Sequence, residues 1–464
     1  MLSQHQVLGV EWARFVRRGL LADEPGLGKT RQAIEAFDGG RNLVVAPAII
    51  LDSGVWADEL AKWSKYPQMW TTVSYTALNQ RVKTRGSGTR PVAGLVKPEY
   101  AGPWDAVVID EAHYIKSSKT NWTQSIVELS KKSDFALALT GTPISHWADD
   151  VFTTLQFVYP EHNYPGGLFG SRWRWIETWF NTKKSVFGGP NAKEIGGLKE
   201  CDYHCTLLEA GEQCQHYDRF VYMNFGPKML RRFAADCLDL PPISEIRITT
   251  PMEVNQKRMY NEVAKQFATQ TAEGHPIEAW SHGSQLHLLS KISTSAWLVG
   301  DKSSPPRGGK FEMLRHDLSQ RDRPTLVFGH YRDTVEASAE VARGLGLVAR
   351  TIHGGTSVDD RRRNAVDFKA GKIDVLCGSL DVLAEGLTLT QADTAIFMEK
   401  SYRPSRNKQA RDRIYRWGQE NHVFIREYIT PNTIDAGKTR MLEKKLDHQM
   451  KFLSKAEIMS MISG

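Results

Sequence analysis

The stretch Asp23-Glu24-Pro25-Gly26-Leu27-Gly28-Lys29-Thr30, followed by the helical run Arg31–Phe37, decides the fold of the first part of the chain. Glycines ahead of a helix let backbone N–H groups surround a phosphate at the helix N-terminus. In such a loop Lys29 reaches the β- and γ-phosphates of a nucleotide, and the Thr30 hydroxyl ligates Mg²⁺. The strict pattern has a glycine where this chain has Asp23, so a glycine-rich turn without a ligand is the alternative for the loop alone.

A second stretch, Asp105-Ala-Val-Val-Ile-Asp110-Glu111-Ala112-His113, is an apolar strand that ends in paired carboxylates. Ligands of open α/β sheets bind at the carboxyl ends of the strands, which predicts Asp110 beside the phosphate loop. There Asp110 can hold Mg²⁺, and Glu111 can orient or deprotonate an attacking water. A solvated acidic strand end is the alternative, and the phosphate loop upstream makes it the less favoured one.

A third stretch, Gln409–Gln419, is basic and includes Arg413 and Arg416. On a helix these two arginines share one face, because they are three residues apart. Phosphoryl transfer needs a cation where charge develops on the γ-phosphate, and an arginine commonly supplies it. By itself the segment is better interpreted as a solvated basic helix, and only the other motifs of the chain favour the catalytic role.

Apolar, β-branched runs alternate with amphipathic segments along the chain, which predicts an α/β fold with parallel sheets in two lobes. The predicted strands are Asn42–Ala46, Ala106–Ile109, Phe135–Leu139, Thr325–Phe328, Asp374–Cys377, Thr394–Met398 and Val423–Tyr428. We predict a first lobe over 1–158, a mostly helical insertion over 159–245, connector helices over 246–304, a second lobe over 305–435 and a C-terminal helix over 436–464.

The composition is that of a globular protein, because 41% of the 464 residues are hydrophobic and 24% are charged. The longest uncharged apolar stretch, Leu43–Leu51, is too short to span a bilayer, and the N-terminus does not resemble a signal peptide. Five cysteines favour a reducing compartment, so we expect a soluble, cytoplasmic protein. The net charge of +7 favours a polyanionic partner such as nucleic acid, although a solvated basic surface explains it equally well.

Two groups of residues in the middle of the chain leave alternatives open. The cluster Cys201-x3-Cys205-x8-Cys214-x-His216 has ligands that suit Zn²⁺, but its spacing is not standard, so free thiols are favoured. The stretch Arg172-Trp173-Arg174-Trp175, with Trp179, Lys183 and Lys184, mixes aromatic and cationic side chains. Such side chains can hold nucleic acid, but tryptophans that fill a small core are the favoured interpretation.

Taken together, the motifs resemble those of Swi/Snf-type ATPases, a branch of the superfamily 2 helicases that translocates on double-stranded DNA. The first lobe carries Leu2-x3-Gln6-x2-Gly9-Val10-Glu11-Trp12, Leu21–Thr30, Asp110-Glu111-Ala112-His113 and Leu139-Thr140-Gly141-Thr142-Pro143-Ile144. The second carries Leu326-Val327-Phe328, Gly354-x-Thr356-Ser357-x3-Arg361, Ser379 to Thr390 and Gln409–Gln419. Leu230-Arg231-Arg232 with Leu240-Pro241-Pro242 resembles the segment between the lobes. Glu399, where many members have aspartate, points to the annealing-helicase (HARP-like) subgroup, and the short chain to a bacterial or phage origin.

The resemblance implies a motor that uses ATP and Mg²⁺, binds the phosphate backbone of duplex DNA without sequence specificity and acts as a monomer. It assigns catalysis to Lys29, Asp110, Glu111, Arg413 and Arg416, and metal binding to Thr30 and Asp110. It assigns nucleotide binding to Gln6, Asp23, Glu24, Gly26, Leu27, Gly28, Lys29, Thr30, Gly386 and Gln409, with Gln6 reading adenine. Thr140 and Thr142 would couple the nucleotide state to DNA. The side of the second lobe that faces the DNA backbone would include Ser357, Ser379 and Thr388.

The chain also departs from the family pattern: Pro25 replaces a methionine, His353 an aspartate, and Ser145-His146 a Gln-Asn pair. None of these changes removes a group that performs chemistry. Three other functions therefore stay open beside the translocase. They are a strand-separating or annealing, fork-remodelling helicase, an RNA-directed motor, and a DNA-binding scaffold without ATPase activity. The intact Lys29, Asp110, Glu111 and Arg416 argue against the last of these functions.

Overall fold

The computed structural model describes residues 2–83, 89–141, 152–159, 172–184, 193–199, 224–271, 274–300, 302, 304–383 and 389–443. The chain divides into two compact units, of which the first reaches Cys237 and the second begins at Leu238. In the part of the chain that is described, no helix combines the length and the hydropathy needed to cross a membrane.

The first unit is built from short helices and buried strands. Its helices are α1 (Gln4–Val16), α2 (Lys29–Phe37), α3 (Ala48–Asp52), α4 (Val55–Trp63), α5 (Asn121–Lys131), α6 (Phe152–Val158), α7 (Arg172–Trp179) and α8 (Ala234–Cys237). Its strands are β1 (Arg18–Leu21), β2 (Asn42–Ala46), β3 (Trp70–Ser74), β4 (Asn79–Lys83), β5 (Thr89–Val96), β6 (Ala106–Ile109), β7 (Phe135–Leu139), β8 (Phe180–Lys184), β9 (Lys193–Leu198) and β10 (Met229–Leu230).

Six of these strands form a parallel sheet in the order β10-β1-β7-β6-β2-β3. Both faces of the sheet are covered, as a continuous apolar strand requires. In β6, Val107 and Ile109 pack into the core on one face, while Ala106 and Val108 pack into the core on the other. All six strands therefore end at one edge, where the loops after β1, β6 and β7 meet.

The second unit repeats this architecture. Its helices are α9 (Val254–Gln266), α10 (His282–Thr294), α11 (Lys310–Ser319), α12 (Arg332–Gly344), α13 (Val358–Lys369), α14 (Leu380–Leu383) and α15 (Pro404–Arg411). Its strands are β11 (Ile243–Thr249), β12 (Ala268–Gln270), β13 (Pro276–Glu278), β14 (Thr325–Gly329), β15 (Ala349–Ile352), β16 (Val375–Ser379), β17 (Thr394–Phe397) and β18 (Val423–Ile429). Six of them form a parallel sheet in the order β11-β18-β17-β14-β16-β15.

The predicted α/β fold with two parallel-sheet lobes is confirmed, and the seven predicted strands match observed strands to within two residues at each end. The range 159–245, predicted as a mostly helical insertion, contains strands as well as helices in its described parts. It includes the antiparallel pair β8–β9, and β10 joins the first parallel sheet. Edge strands such as β10 are short, so their sequence pattern is weak.

A buried ion pair lies at the carboxyl edge of the second sheet. Lys310, the first residue of α11, is completely buried, and its Nζ donates to the Met398 carbonyl (2.7 Å) and to Asp435 Oδ2 (2.6 Å). Asp435 also accepts a hydrogen bond from the Thr430 amide (3.2 Å). A buried ammonium is tolerated only when it is paired and hydrogen-bonded. The pair therefore fastens α11 to the segments that follow β17 and β18.

We expect Lys310→Met to lower the free energy of unfolding by about 3 kcal/mol, because it leaves the Asp435 carboxylate buried without its cation. Denaturant titration measures the loss. Lys302→Met is the matched control: Lys302 lies 3.5 Å from Asp333 on the surface, and an exposed pair of this kind contributes about 0.5 kcal/mol or less. Equal losses in the two variants would contradict the role given to the buried pair.

Candidate active site

The loop between β1 and α2 depends on two glycines with positive φ angles. Gly26 has φ 92° and Gly28 has φ 74°, a region that disfavours side chains with a Cβ. A Cβ on Gly28 would also lie 2.4 Å from Gln6 Nε2, so the site is closed on that side. Gln6 itself donates to the Leu27 carbonyl at 3.5 Å. The loop therefore turns sharply into α2, and Gln6 lies directly against it.

Lys29 is held at the centre of this loop. Its Nζ donates to the carbonyls of Asp23 (2.6 Å) and Glu24 (3.1 Å). Burial lowers the pKa of Lys29, and the carboxylates of Asp23, Glu111 and Asp110 act against that shift. The ammonium is thus within electrostatic reach of the acidic pair at the end of β6.

Asp110 and Glu111 follow β6 at the same edge of the sheet. Asp110 Oδ2 accepts from Trp56 Nε1 (2.9 Å), its Oδ1 accepts from the Glu111 amide (2.9 Å), and its carbonyl accepts from the Tyr75 hydroxyl (2.7 Å). Burial, reinforced by the negative charge of Glu111, raises the pKa of Asp110 to about 6. Glu111 has φ 50°, and its Oε2 lies 3.2 Å from His113 Nδ1.

The residues at this edge fit Mg²⁺. Its preferred ligands are hard oxygens, which the Asp110 carboxylate and the Thr30 hydroxyl supply. The pKa of Asp110 is raised because its carboxylate is buried beside that of Glu111, and a bound divalent cation would stabilise this negative charge. Among the described residues no group of three or more His, Cys, Asp or Glu side chains is arranged to hold a metal by itself. The cluster Cys201/Cys205/Cys214/His216 lies outside the described residues, as do Thr142, Ser145, His146, Gly386 and Thr388.

Asp23 occupies the place of the first glycine in the strict loop pattern, and the structure shows what it does there. Its side chain is completely buried and forms a two-pronged ion pair with Arg232, in which Nε donates to Oδ1 (3.0 Å) and Nη2 donates to Oδ2. Gln32 bridges the pair, since its Nε2 donates to Asp23 Oδ2 (3.2 Å) and its Oε1 accepts from Arg232 (2.8 Å). Arg232 also donates to the His5 carbonyl.

The backbone on either side of Arg232 runs alongside the loop. The Ala22 amide donates to the Leu230 carbonyl (2.7 Å), and the Glu24 amide donates to the Arg232 carbonyl (3.0 Å). Glu24 Oε2 in turn accepts from the Ala234 amide (2.9 Å). We call residues 229–234, with these contacts, the loop clamp. The sequence alone did not indicate it, because Asp23 and Arg232 are 209 residues apart.

In the second unit the basic segment differs from the predicted helix. Helix α15 ends at Arg411, and Arg413 and Arg416 lie in the turns that follow it, so they do not share a helical face. Arg413 is buried and its Nε donates to the Gln409 carbonyl at 3.2 Å. The turn is fixed by Gln419, whose Nε2 donates to the carbonyls of Ala392 (2.8 Å) and Ile414 (3.0 Å). Buried hydrogen bonds rather than helical spacing therefore position these arginines.

The tryptophan-rich helix α7 supports the packing interpretation for one of its residues. Trp175 is completely buried between Phe152 and Phe180, with ring centroids 5.3 Å away in both cases. Its Nε1 donates to Asn224 Oδ1 at 2.6 Å. Trp173 is 44% exposed and is not part of that core.

We expect Arg232→Ala to lower the free energy of unfolding by about 3 kcal/mol and to speed amide exchange in residues 22–28, because Asp23 would stay buried without its cation. Denaturant titration and hydrogen exchange measure the two effects. Arg17→Ala is the control, since Arg17 lies 3.8 Å from Asp134 with both side chains exposed. Unchanged exchange in residues 22–28 of Arg232→Ala would contradict the clamp.

Comparisons with known proteins identify the family of the chain. The SNF2-related domain model matches residues 5–294, and the helicase conserved C-terminal domain model matches residues 309–418. The transcription regulatory protein SNF2 of Saccharomyces cerevisiae is 27% identical over 96% of this chain and 27% of its own length. The ATP-dependent DNA helicase DDM1 of Arabidopsis thaliana is 26% identical over 96% of this chain and 61% of its own.

Among solved structures, the Sulfolobus solfataricus SWI2/SNF2 ATPase core in complex with dsDNA is 22% identical, with a TM-score of 0.39 and coverage of 99% of this chain and 94% of that one. The assignment rests on the family models, since the first of them alone covers more than half of the chain. The chain belongs to the SNF2-related family and also carries the helicase conserved C-terminal domain.

Proposed function

We propose that this protein hydrolyses ATP and uses the energy to move along duplex DNA, remodelling DNA or protein–DNA complexes without processive strand separation. The observation that carries the proposal is the meeting of Lys29, Asp110 and Glu111 at one edge of a parallel sheet, in a chain of the SNF2-related family. A cation, a metal-binding carboxylate and a second carboxylate are the groups that phosphoryl transfer to water requires.

The described contacts support a specific role for each group in the first unit. Lys29 would exchange its two carbonyl partners for phosphate oxygens, a change that gives the ammonium a stronger, charged acceptor. Asp110 and Thr30 would hold Mg²⁺, which when bound neutralises charge on the phosphates. Glu111 would orient the attacking water and accept its proton. Gln6, against the loop at Leu27, would contact the adenine.

In the second unit, Arg413 and Arg416 would stabilise the charge that develops on the transferred phosphoryl group. Gly386 and Gln409 would contribute to nucleotide binding. We propose that Thr140 and Thr142 transmit the nucleotide state and that Ser357, Ser379 and Thr388 face DNA. Contacts made mainly to phosphates carry no sequence information, so binding would be independent of sequence and would weaken steeply with salt.

A fork-remodelling or strand-annealing helicase is the second candidate, and Glu399 is the observation that favours it. Glu399 is buried and its Oε1 accepts from Thr294 Oγ1 and Thr334 Oγ1, both at 2.8 Å. Its Oε2 accepts from the His330 amide at 2.8 Å. The glutamate therefore has a fixed structural environment that a shorter aspartate would not fill. Annealing and strand-displacement assays on forked DNA separate the two candidates.

The proposed function is tested by steady-state ATP hydrolysis without nucleic acid and with duplex DNA, single-stranded DNA or RNA. We expect duplex DNA to stimulate hydrolysis at least ten-fold, which corresponds to a decrease of ~1.4 kcal/mol in the activation free energy. We expect a triplex-displacement assay to show translocation. Preferential stimulation by single-stranded or forked DNA would favour the helicase. Preferential stimulation by RNA would favour the RNA-directed motor. The absence of hydrolysis under every condition would overturn the proposal and leave a scaffold.

Lys29→Ala and Glu111→Gln should abolish hydrolysis for different reasons. Lys29→Ala removes the cation that binds phosphates, so we expect nucleotide affinity to fall together with turnover. Glu111→Gln keeps the shape of the side chain but cannot accept a proton, so we expect turnover to fall by about 10²-fold or more while nucleotide affinity is retained. Equilibrium binding of a fluorescent ATP analogue distinguishes them. Glu111→Gln with normal turnover would contradict the role of Glu111.

A further inference from the structure

Strands β4 and β5 form an antiparallel hairpin that is separate from the six-stranded sheet of the first unit. The hairpin occupies the connection between β3 and β6, two neighbours of β2 in that sheet. We call the described residues 79–83 and 89–97 the basic hairpin. It is an addition to the sheet, and its Val96 packs against the core on one face of that sheet.

The base of the basic hairpin is fastened to helix α5. Asn79 is almost fully buried, and its Nδ2 donates to the Val92 carbonyl and to Ser125 Oγ, both at 2.7 Å. The side chain of Asn121, the first residue of α5, donates to the Pro91 carbonyl at 3.4 Å. These contacts place the hairpin against the N-terminal end of α5. The loop of residues 116–120, which we call the lysine loop, leads directly into that same end of the helix.

The charge in these two segments is entirely positive. The ranges 76–98 and 112–127 contain no aspartate or glutamate. Their seven cationic residues are Arg81, Lys83, Arg85, Arg90, Lys97, Lys116 and Lys119. The whole chain has a net charge of +7, so the excess of positive charge lies in these two segments and the rest of the chain is balanced.

Two described cations of the hairpin, Arg81 and Arg90, are directed to solvent, whereas Lys97 is half-buried and its Nζ lies 5.9 Å from the centroid of the Tyr100 ring. In the register of the hairpin Arg81 lies opposite Pro91, and Arg90 lies opposite Val82, so Arg81 and Arg90 are on opposite faces. Both arginines are exposed, as is Lys119 in the lysine loop. No described carboxylate lies within ion-pair distance of these three side chains. Their charge is therefore available to an external anion.

Arg81 is also held in a fixed orientation. Its Nε donates to Thr89 Oγ1 (3.0 Å) and its Nη2 donates to the Thr89 carbonyl (2.9 Å) across the hairpin. A guanidinium that is already ordered loses less conformational entropy when it binds an anion. The phosphates of a nucleic acid backbone are anions of this kind.

We propose that the basic hairpin and the lysine loop together bind the phosphate backbone of duplex DNA, as a contact surface additional to the two motor sheets. This proposal rests on the proposed function, because it names the part of the first unit that contacts the duplex. The charge is dense, lies on both faces of a narrow element and has no acidic residue beside it. An acidic protein segment is the other kind of partner such a surface could take, and it appears as an outcome of the test.

The test compares Arg90→Gln/Lys119→Gln with the unchanged protein and with Lys131→Gln/Lys132→Gln. The first variant leaves the Arg81–Thr89 bonds intact, so the hairpin keeps its cross-strand contacts. The control removes two exposed lysines at the opposite end of α5, about 16 Å away. The affinity for a fluorescent DNA duplex is measured over a range of KCl concentrations. ATP hydrolysis is measured at saturating duplex, and circular dichroism compares the folds.

If the surface binds phosphates, Arg90→Gln/Lys119→Gln should raise the Kd for duplex DNA about ten-fold. It should also reduce the slope of log affinity against log salt by about 1.8, because each lost phosphate contact removes about 0.9. The maximal rate of ATP hydrolysis should be unchanged, since neither residue touches the nucleotide site.

Two results would overturn the proposal. An affinity and salt slope equal to those of the unchanged protein would show that the surface does not contact DNA, and would point to a partner such as an acidic protein segment. An equal effect of Lys131→Gln/Lys132→Gln would show that only the overall charge matters. In both cases duplex-stimulated hydrolysis by the unchanged protein would leave the proposed function standing. If the unchanged protein neither bound duplex nor responded to it, both proposals would fail.

Discussion

The buried ion pair between Asp23 and Arg232 is the interaction on which the site of the first unit depends. A carboxylate without solvent needs a cation and hydrogen-bond donors, and Arg232 with Gln32 supplies both. The partner of Asp23 in this loop therefore comes from the segment that follows β10, the edge strand of the sheet. The chain enters the second unit at Leu238, a few residues after this anchor. The segment that fixes the loop is thus continuous with the one that leads into the second unit.

Around that anchor, charges of both signs are kept close without neutralising one another completely. Burial lowers the pKa of Lys29, while burial and a neighbouring carboxylate raise the pKa of Asp110 to about 6. Both groups are therefore held in a state that a partner of opposite charge would stabilise. A triphosphate would supply the negative charge that stabilises the Lys29 ammonium, and a divalent cation would supply the positive charge that stabilises the Asp110 carboxylate. This electrostatic arrangement fits the metal–nucleotide complex that we propose as the ligand of the site.

The two parallel sheets share one architecture, but each unit adds polar elements of its own. In the first unit the basic hairpin is fastened by the buried Asn79, and its Arg81 and Arg90 are exposed. In the second unit, buried polar groups such as Lys310 and Glu399 fix the segments that follow the strands. Buried polar groups are hydrogen-bonded because an unpaired one is costly. These networks therefore hold the loops at the carboxyl edge of the second sheet in defined positions.

From the sequence alone, seven of the twelve strands of the two sheets, the Gly-rich loop and the Asp110–Glu111 pair could be predicted, because each depends on residues that are close together in the chain. The sequence also indicated the family, since the motifs occur in order. Only the tertiary structure decided the partner of Asp23, the contacts of Asp110 with Trp56 and Tyr75, and the end of α15 before Arg413. The physical reason is that these features arise from packing and burial between distant segments. Hydrophobic periodicity reports which face of an element is buried, but not which polar group it meets there.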